Sequence, residues 1–312
     1  MKGFFTQSAV VLLDRIPDLA ELERCLDGLT IAKRTEADGN DSWMGGNPTL
    51  ILPFRPDVNG YAAVDIVAKP WPDGMGDPKT DHELFGAWSM GWFGPFIYPG
   101  TLERAVAQAH DWSDAARVVE QHRAFVRIKT SYAFGAPPDA SIMPADYDGL
   151  GELRFVTDVA RRLLQVSGSV CYFNPNGESV HTAAKLDELL TYHASQDLLP
   201  LAVWSNARLF RLEDADGWSM VDTIGMEQLD VTDHEACFPR GRFDIGEVVS
   251  FLRNATSYVQ QNGPVIKDGD TMSGPGGMNW QGKSFEVSVA PAPRPVLRWL
   301  PCDGAEPPAR LL

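Results

Sequence analysis

The sequence is short of most features that would announce an activity. No stretch approaches the roughly 18 consecutive apolar residues of a membrane-crossing helix, so no membrane partner is expected. Cysteine is sparse: Cys25, Cys171, Cys237 and Cys302 lie scattered over 312 residues. That is neither a disulfide framework nor a metal knuckle, and it leaves reduced, structural thiols. Basic charge is in deficit, with 27 Lys and Arg against 42 Asp and Glu and a formal net charge of −15. Nucleic acid is disfavoured, because its phosphates must be met by a basic surface; an anionic membrane surface is disfavoured too. Solubility accounts for such a charge, and a basic protein partner is compatible with it.

The standard catalytic signatures are missing as well: HExxH, GxSxG, a P-loop lysine motif, GxGxxG after a strand, and any CxxC pair. No cofactor and no metal is expected. Asp268-Gly-Asp270-Thr271 opens like a phosphotransferase or calcium loop, yet it lacks the hydroxyl spacing of the first and the later glutamate of the second. An acidic turn before a strand is the simpler reading. Each of the six histidines is more simply a satisfied or solvent-facing side chain than a metal ligand. The opening Met1-Lys2-Gly3-Phe4-Phe5 carries one positive charge, and the apolar run after it is broken by Asp14 and Arg15. It reads as the approach to a strand and not as a signal peptide, which makes a cytoplasmic protein the expectation.

What is present is apolar patterning. In Ala124–Tyr132, Val126, Ile128 and Thr130 alternate with Arg127 and Lys129, a period of two that predicts a strand with one wet face. Leu150, Leu153, Val156, Ala160, Leu163 and Leu164 then recur at helical spacing, with Gly168 where a left-handed cap belongs. Ser169–Phe173 is apolar on both faces, as a central strand is. This strand–helix–strand unit is expected to be the nucleus of the fold.

Around it, Gln7–Leu13, Leu29–Arg34, Thr49–Phe54 and Tyr61–Ala68 read as strands, with a helix from Pro17 to Gly28. Short helices are expected from Thr101 and Ser113, and a longer one capped by Ser179. Leu201–Leu212 and Trp218–Thr223 suggest a hairpin joined through residues 213–217. Asp244 with Glu247 is a capping signature for a helix carrying Val248, Leu252, Ala255 and Val259. A glycine-rich loop, Ser273–Gly277, precedes expected strands Ser284–Ala290 and Val296–Leu300. The expected fold is α/β (α+β): a mixed, mostly antiparallel sheet with flanking helices, arranged as two βαβ-like lobes. The lobes are drawn at 1–100 and 101–300, with a loose tail at 301–312.

One stretch has no clean period. Trp88, Trp92, Phe93, Phe96 and Tyr98 crowd among glycines and prolines. They form either a plug that seals the core, because aromatics bury large areas, or a recognition surface, because Trp and Tyr dominate binding hot spots.

Three segments carry a family resemblance: Ala107–Arg127 with its Asp111-Trp112 pair, Thr223–Glu235, and Lys267–Thr271. Together they resemble a bacterial family catalogued as domain of unknown function 4261, over most of the chain from the first strand to about Ala290. The resemblance implies a cytoplasmic α/β protein that keeps genomic company with immunity and accessory proteins of toxin and secretion systems. The matching Thr223, Gly225, Glu227, Glu235, Asp268, Gly269, Asp270 and Thr271 either shape turns or converge into an acidic cleft. The leading expectation is therefore a non-catalytic binding protein with a toxin or secretion component as partner, through Trp88, Trp92, Phe93, Phe96, Tyr98, Glu227, His234, Glu235, Asp268 and Asp270. The alternative is a metal- or carboxylate-dependent hydrolase that uses Glu227, Glu235 and Asp270 with His234.

Overall fold

A computed structural model describes residues 2–39, 42–137, 142–213 and 215–312. By its internal contacts the chain forms two units, Met1–Val203 and Trp204–Leu312. The boundary expected near residue 100 falls inside the first of them, because strands on either side of that position pair directly.

Unit 1 runs β1 (Gln7–Leu13), α1 (Leu19–Cys25), β2 (Lys33–Thr35), β3 (Thr49–Arg55), β4 (Gly60–Val67), α2 (His82–Ser89), α3 (Thr101–Ala107), α4 (Ala115–Val119), β5 (Ala124–Ser131), α5 (Gly149–Leu163), β6 (Ser169–Asn174), β7 (Ser179–His181) and α6 (Ala183–Ser195). Its sheet has the order β2-β3-β4-β5-β1-β6-β7, and every neighbouring pair is antiparallel. β5 and β6 therefore run parallel to each other with β1 between them. The expected β–α–β nucleus is present but split by the first strand of the chain. Its helix α5 starts where the Asp148 carboxylate accepts the Gly151 N–H, and it buries Leu153, Val156, Ala160 and Leu163. Each such side chain is worth roughly 1.5–3 kcal/mol of transfer free energy.

The other face of this sheet departs from the sequence reading. Arg127 and Lys129, expected on a wet face, are 0% and 1% exposed. Aromatic rings cover them: Trp92 and Phe93 lie 5.6 and 5.8 Å from the Arg127 guanidinium, and Phe5 and Trp92 lie 4.4 and 4.3 Å from the Lys129 ammonium. Period two located the strand correctly, but it could not reveal what packs on the polar side. The helix expected from Ser179 begins later. Ser179–His181 pairs with β6, the Ser179 hydroxyl donates to the Val203 carbonyl, and Thr182 caps α6.

The short α7 (Leu201–Trp204) replaces the start of the strand expected from Leu201. Unit 2 then comprises β8 (Asn206–Arg211), β9 (Trp218–Ile224), β10 (Asp233–Pro239), α8 (Ile245–Asn262), β11 (Thr271–Gly274), β12 (Met278–Phe285) and β13 (Val296–Pro301). Asp214, in the turn expected to join β8 to β9, lies outside the described residues. The sheet order is β11-β12-β13-β10-β9-β8, with β10 and β13 parallel and the other pairs antiparallel. Both units are thus α/β with mostly antiparallel sheets. α8 packs Val248, Phe251, Leu252 and Ala255 against Val221, Ala236, Phe238, Trp280 and Trp299. The strand expected at Ser284–Ala290 ends at Phe285, beyond which the Ser288 hydroxyl bridges the Ala290 and Ala292 carbonyls. The tail is not loose at its end: Leu311 is fully buried, beside Trp218, Met220 and Cys237.

Candidate functional site

In unit 2 the strand register sets Arg208, Asp222, Glu235 and Arg298 opposite one another, one from each of β8, β9, β10 and β13. Residues directly opposed share a face, so four charges lie in one row on the side away from α8. Arg208 grips Asp222 with two bonds, of 3.0 and 2.6 Å. Arg298 Nε donates to Glu235 Oε2 at 3.0 Å, while the Val289 N–H donates to Oε1 at 2.7 Å. Arg294 joins the row from the segment before β13, bonding Asp222 at 2.8 Å and Asp233 at 3.1 Å. All six groups are buried, three cations against three carboxylates. Burial pushes the Asp233 and Glu235 carboxyls upward, against the pull of Arg294 and Arg298.

Asp233 also builds the turn after β9. Its carboxylate accepts from the Thr223 hydroxyl and from the Gly225 and Met226 amides. Gly225 has φ 106° there, a conformation open to glycine. The Thr223 hydroxyl in turn accepts the His234 N–H. Thr223 and Gly225, which carried the family resemblance, thus have structural duties.

His234 lies on the opposite face of β10 from Asp233 and Glu235. Its Nδ1 accepts the Trp299 indole N–H at 3.0 Å. The proton is thereby placed on Nε2, which is buried without a partner among the described residues. Burial pushes the imidazole down to about 4.

The structure does not gather the residues of the expected acidic cleft. Neighbours along a strand point to opposite faces, so His234 faces α8 while Glu235 faces the charged row. Asp268 and Asp270 are exposed ahead of β11. β12 and β13 stand between β11 and β10, a separation of about 14 Å at ordinary strand spacing. Asp270 accepts the Lys267 N–H and Asp268 the Ser284 N–H, as turn-forming carboxylates do. Glu227 is half-buried in the turn after β9, its carboxyl raised by burial and by Asp233. Among the described residues no group of three or more His, Cys, Asp or Glu is placed to hold a metal ion.

The aromatic stretch divides in the same way. Trp88 and Phe93 belong to the core of unit 1, at 7% and 1% exposure, and offer no surface to a partner. Trp92 and Phe96 are half-buried, and only Tyr98 is exposed. Of the two readings of this stretch, the core plug describes Trp88 and Phe93.

Missed by the sequence reading were Arg208, Asp222, Arg294 and Arg298. One signal was available: in a hairpin, register follows from the turn, and it sets Arg208 opposite Asp222.

Unit 2 also carries an open groove of about 810 Å³. One wall is the solvent side of α8, with Asp244, Glu247, Ser250 and Asn254; the other is the loop Ser273–Gly277, with Met272 and Phe251 beneath. The Asp244 carboxylate caps α8 by accepting the Glu247 N–H at 3.0 Å. Gly274 lets the loop approach closely, since a Cβ there would sit 2.6 Å from Trp280 Cδ1. The groove's described lining includes two carboxylates and no lysine or arginine.

The end of β9, with β10, α8, this groove and β13 up to Leu300, falls in one stretch of sequence that matches a family model. Residues 222–300 match the family model described as Domain of unknown function (DUF4261). The DUF4261 match covers two of the three segments that carried the resemblance, Thr223–Glu235 and Lys267–Thr271, and leaves Ala107–Arg127 outside. No curated protein and no solved structure matches the chain.

Proposed function

We propose that the protein is a non-catalytic binding protein that holds a basic segment of a protein partner in the groove along α8. The observation that carries this reading is the composition of the groove within the DUF4261 segment. Asp244 and Glu247 rim it, Phe251 and Met272 floor it, and the glycine loop Ser273–Gly277 leaves backbone groups accessible. Such a surface suits a chain that pairs lysines or arginines with apolar side chains, and the net charge of −15 steers that chain towards it. The pairing of Glu235 with Arg298 supports a structural role for one of the carboxylates that the hydrolase reading would use. The setting implied by the resemblance is an immunity or accessory role beside a bacterial toxin or secretion component, in the cytoplasm.

The test is a titration of labelled protein with a lysine-rich amphipathic peptide, followed by amide shifts. Perturbations confined to 244–254 and 272–277 are expected, shrinking as salt rises from about 50 mM to about 300 mM. Glu247→Lys is expected to weaken binding by about tenfold. Shifts scattered evenly over the acidic surface, or unaffected by Glu247→Lys, would overturn the reading.

A further inference from the structure

Among the described residues, unit 1 contains a buried charge cluster that does not balance. The Asp65 carboxylate is held by Arg127 through Nε at 3.2 Å and Nη2 at 2.5 Å. Arg127 spends further N–H groups on the Trp43 and Met44 carbonyls. Lys129, two residues on and facing the same way, is 1% exposed, and its ammonium lies 3.5 Å from Asp65. Its other neighbours are the rings of Phe5 at 4.4 Å and Trp92 at 4.3 Å. Two cations thus share one carboxylate that Arg127 already grips in bidentate fashion. Rings stabilise a cation, but they do not replace the hydrogen bonds that an ammonium loses on burial.

Beside this ammonium is a cavity of about 160 Å³, walled by Phe5, Ile51, Ala63, Trp92 and Phe134, with Lys129 and Asp65 on its polar side. An apolar cavity of about 150 Å³ accommodates benzene. We propose that this cavity is a binding site for a small monocarboxylate, its apolar body against the aromatic walls and its carboxylate paired with the Lys129 ammonium. The ligand supplies the anion that the cluster lacks, and its size is that of benzoate or a short aliphatic acid. Desolvation and the nearby Arg127 push the empty-site ammonium well below the ordinary lysine range. A bound carboxylate restores the charge, so binding takes up a proton. The inference stands apart from the groove of unit 2 and does not depend on it.

The experiment is calorimetric titration of the full chain at pH 8 with benzoate, benzamide and hexanoate, each in two buffers of different ionisation heat. Benzoate or hexanoate is expected to bind at least tenfold more tightly than benzamide, with proton uptake. Lys129→Met is expected to weaken the acids at least tenfold and to abolish both the uptake and the preference over benzamide. Ala63→Leu, which fills the cavity and leaves Lys129 in place, is expected to abolish binding of all three. Equal binding of benzamide and benzoate, no binding of either acid, or undiminished binding in Ala63→Leu would each overturn the proposal. Should Lys129→Met fail to fold, the Ala63→Leu and benzamide comparisons decide alone.

Discussion

On the second sheet Arg208, Arg294 and Arg298 meet Asp222, Asp233 and Glu235, three charges against three; on the first, Arg127 and Lys129 share the single carboxylate of Asp65. Both clusters sit on the sheet face away from the main helix of their unit, and both are withdrawn from water. In the balanced row each guanidinium ends on a carboxylate, and the spare lone pairs are taken up by backbone groups. The arrangement fixes strand register and the course of residues 286–295 across the sheet. In the unbalanced cluster one cation faces aromatic rings and a cavity. Internal neutrality marks charges that serve the fold; a surplus charge beside empty space marks a place for something else to enter. The comparison matters because residue type alone, buried Arg, Lys and Asp on adjacent strands, does not separate the two cases.

The strongest way to break the contrast is to unbalance the row. Arg294→Met leaves Asp233 without its guanidinium and Asp222 with one where it had two. Removing one member of a buried pair strands its partner, at a cost of about 3–5 kcal/mol. Urea denaturation monitored through unit 2, for instance by the fluorescence of a retained Trp299, is expected to show that loss. A cost below about 1 kcal/mol would mean that water reaches the row and that its balance is not what holds it.

Much of this architecture was legible in the sequence, and the exceptions share a cause. β1, β3, β4, β5, β6 and α5 follow from apolar periodicity, because burial of one face is what such patterns record. β10 did not, since Asp-His-Glu at its start reads as a solvated turn. Those three residues sit in the middle of a sheet because Arg294, Arg298 and Trp299, some sixty residues later, satisfy them. No local pattern carries such long-range pairing. Lys129 was misread for the same reason: its alternation marked a polar face, and the aromatic layer that dries that face comes from the aperiodic stretch around Trp92. The acidic cleft failed because nearness in sequence around His234 and Glu235 means opposite faces on a strand. The groove along α8 was half visible, through its capping pair and glycine loop, but nothing in the sequence set one against the other.

A second, smaller effect sharpens the comparison through pH. His234 is held near 4 in the folded chain against about 6.5 unfolded. Between those values the unfolded state binds more protons, so stability is complete above about pH 6.5 and falls as pH drops towards 4. At about 1.4 kcal/mol per unit the loss approaches 3 kcal/mol. His234→Phe is expected to cost some baseline stability, because Trp299 loses its acceptor, yet to flatten the difference between pH 7 and pH 4.5. An unchanged slope would place the acid sensitivity elsewhere.

The smallest effect is the most telling. Lys129 is also depressed in the folded state, and stability should rise with pH from its lowered value up to about 10.4. Below that range the fold carries a buried surplus cation. Lys129→Met removes the charge and keeps most of the side-chain volume, while Asp65 retains Arg127. Replacing a buried charge with an apolar side chain of similar size is often neutral or stabilising. The expected change at pH 7 is therefore within about 1 kcal/mol of the wild type, of either sign, and that rise in stability should vanish. Loss of 3 kcal/mol or more would show that Lys129 is a structural partner of Asp65 in the manner of Arg294. The two clusters would then be one device used twice, and the cavity a packing defect beside it.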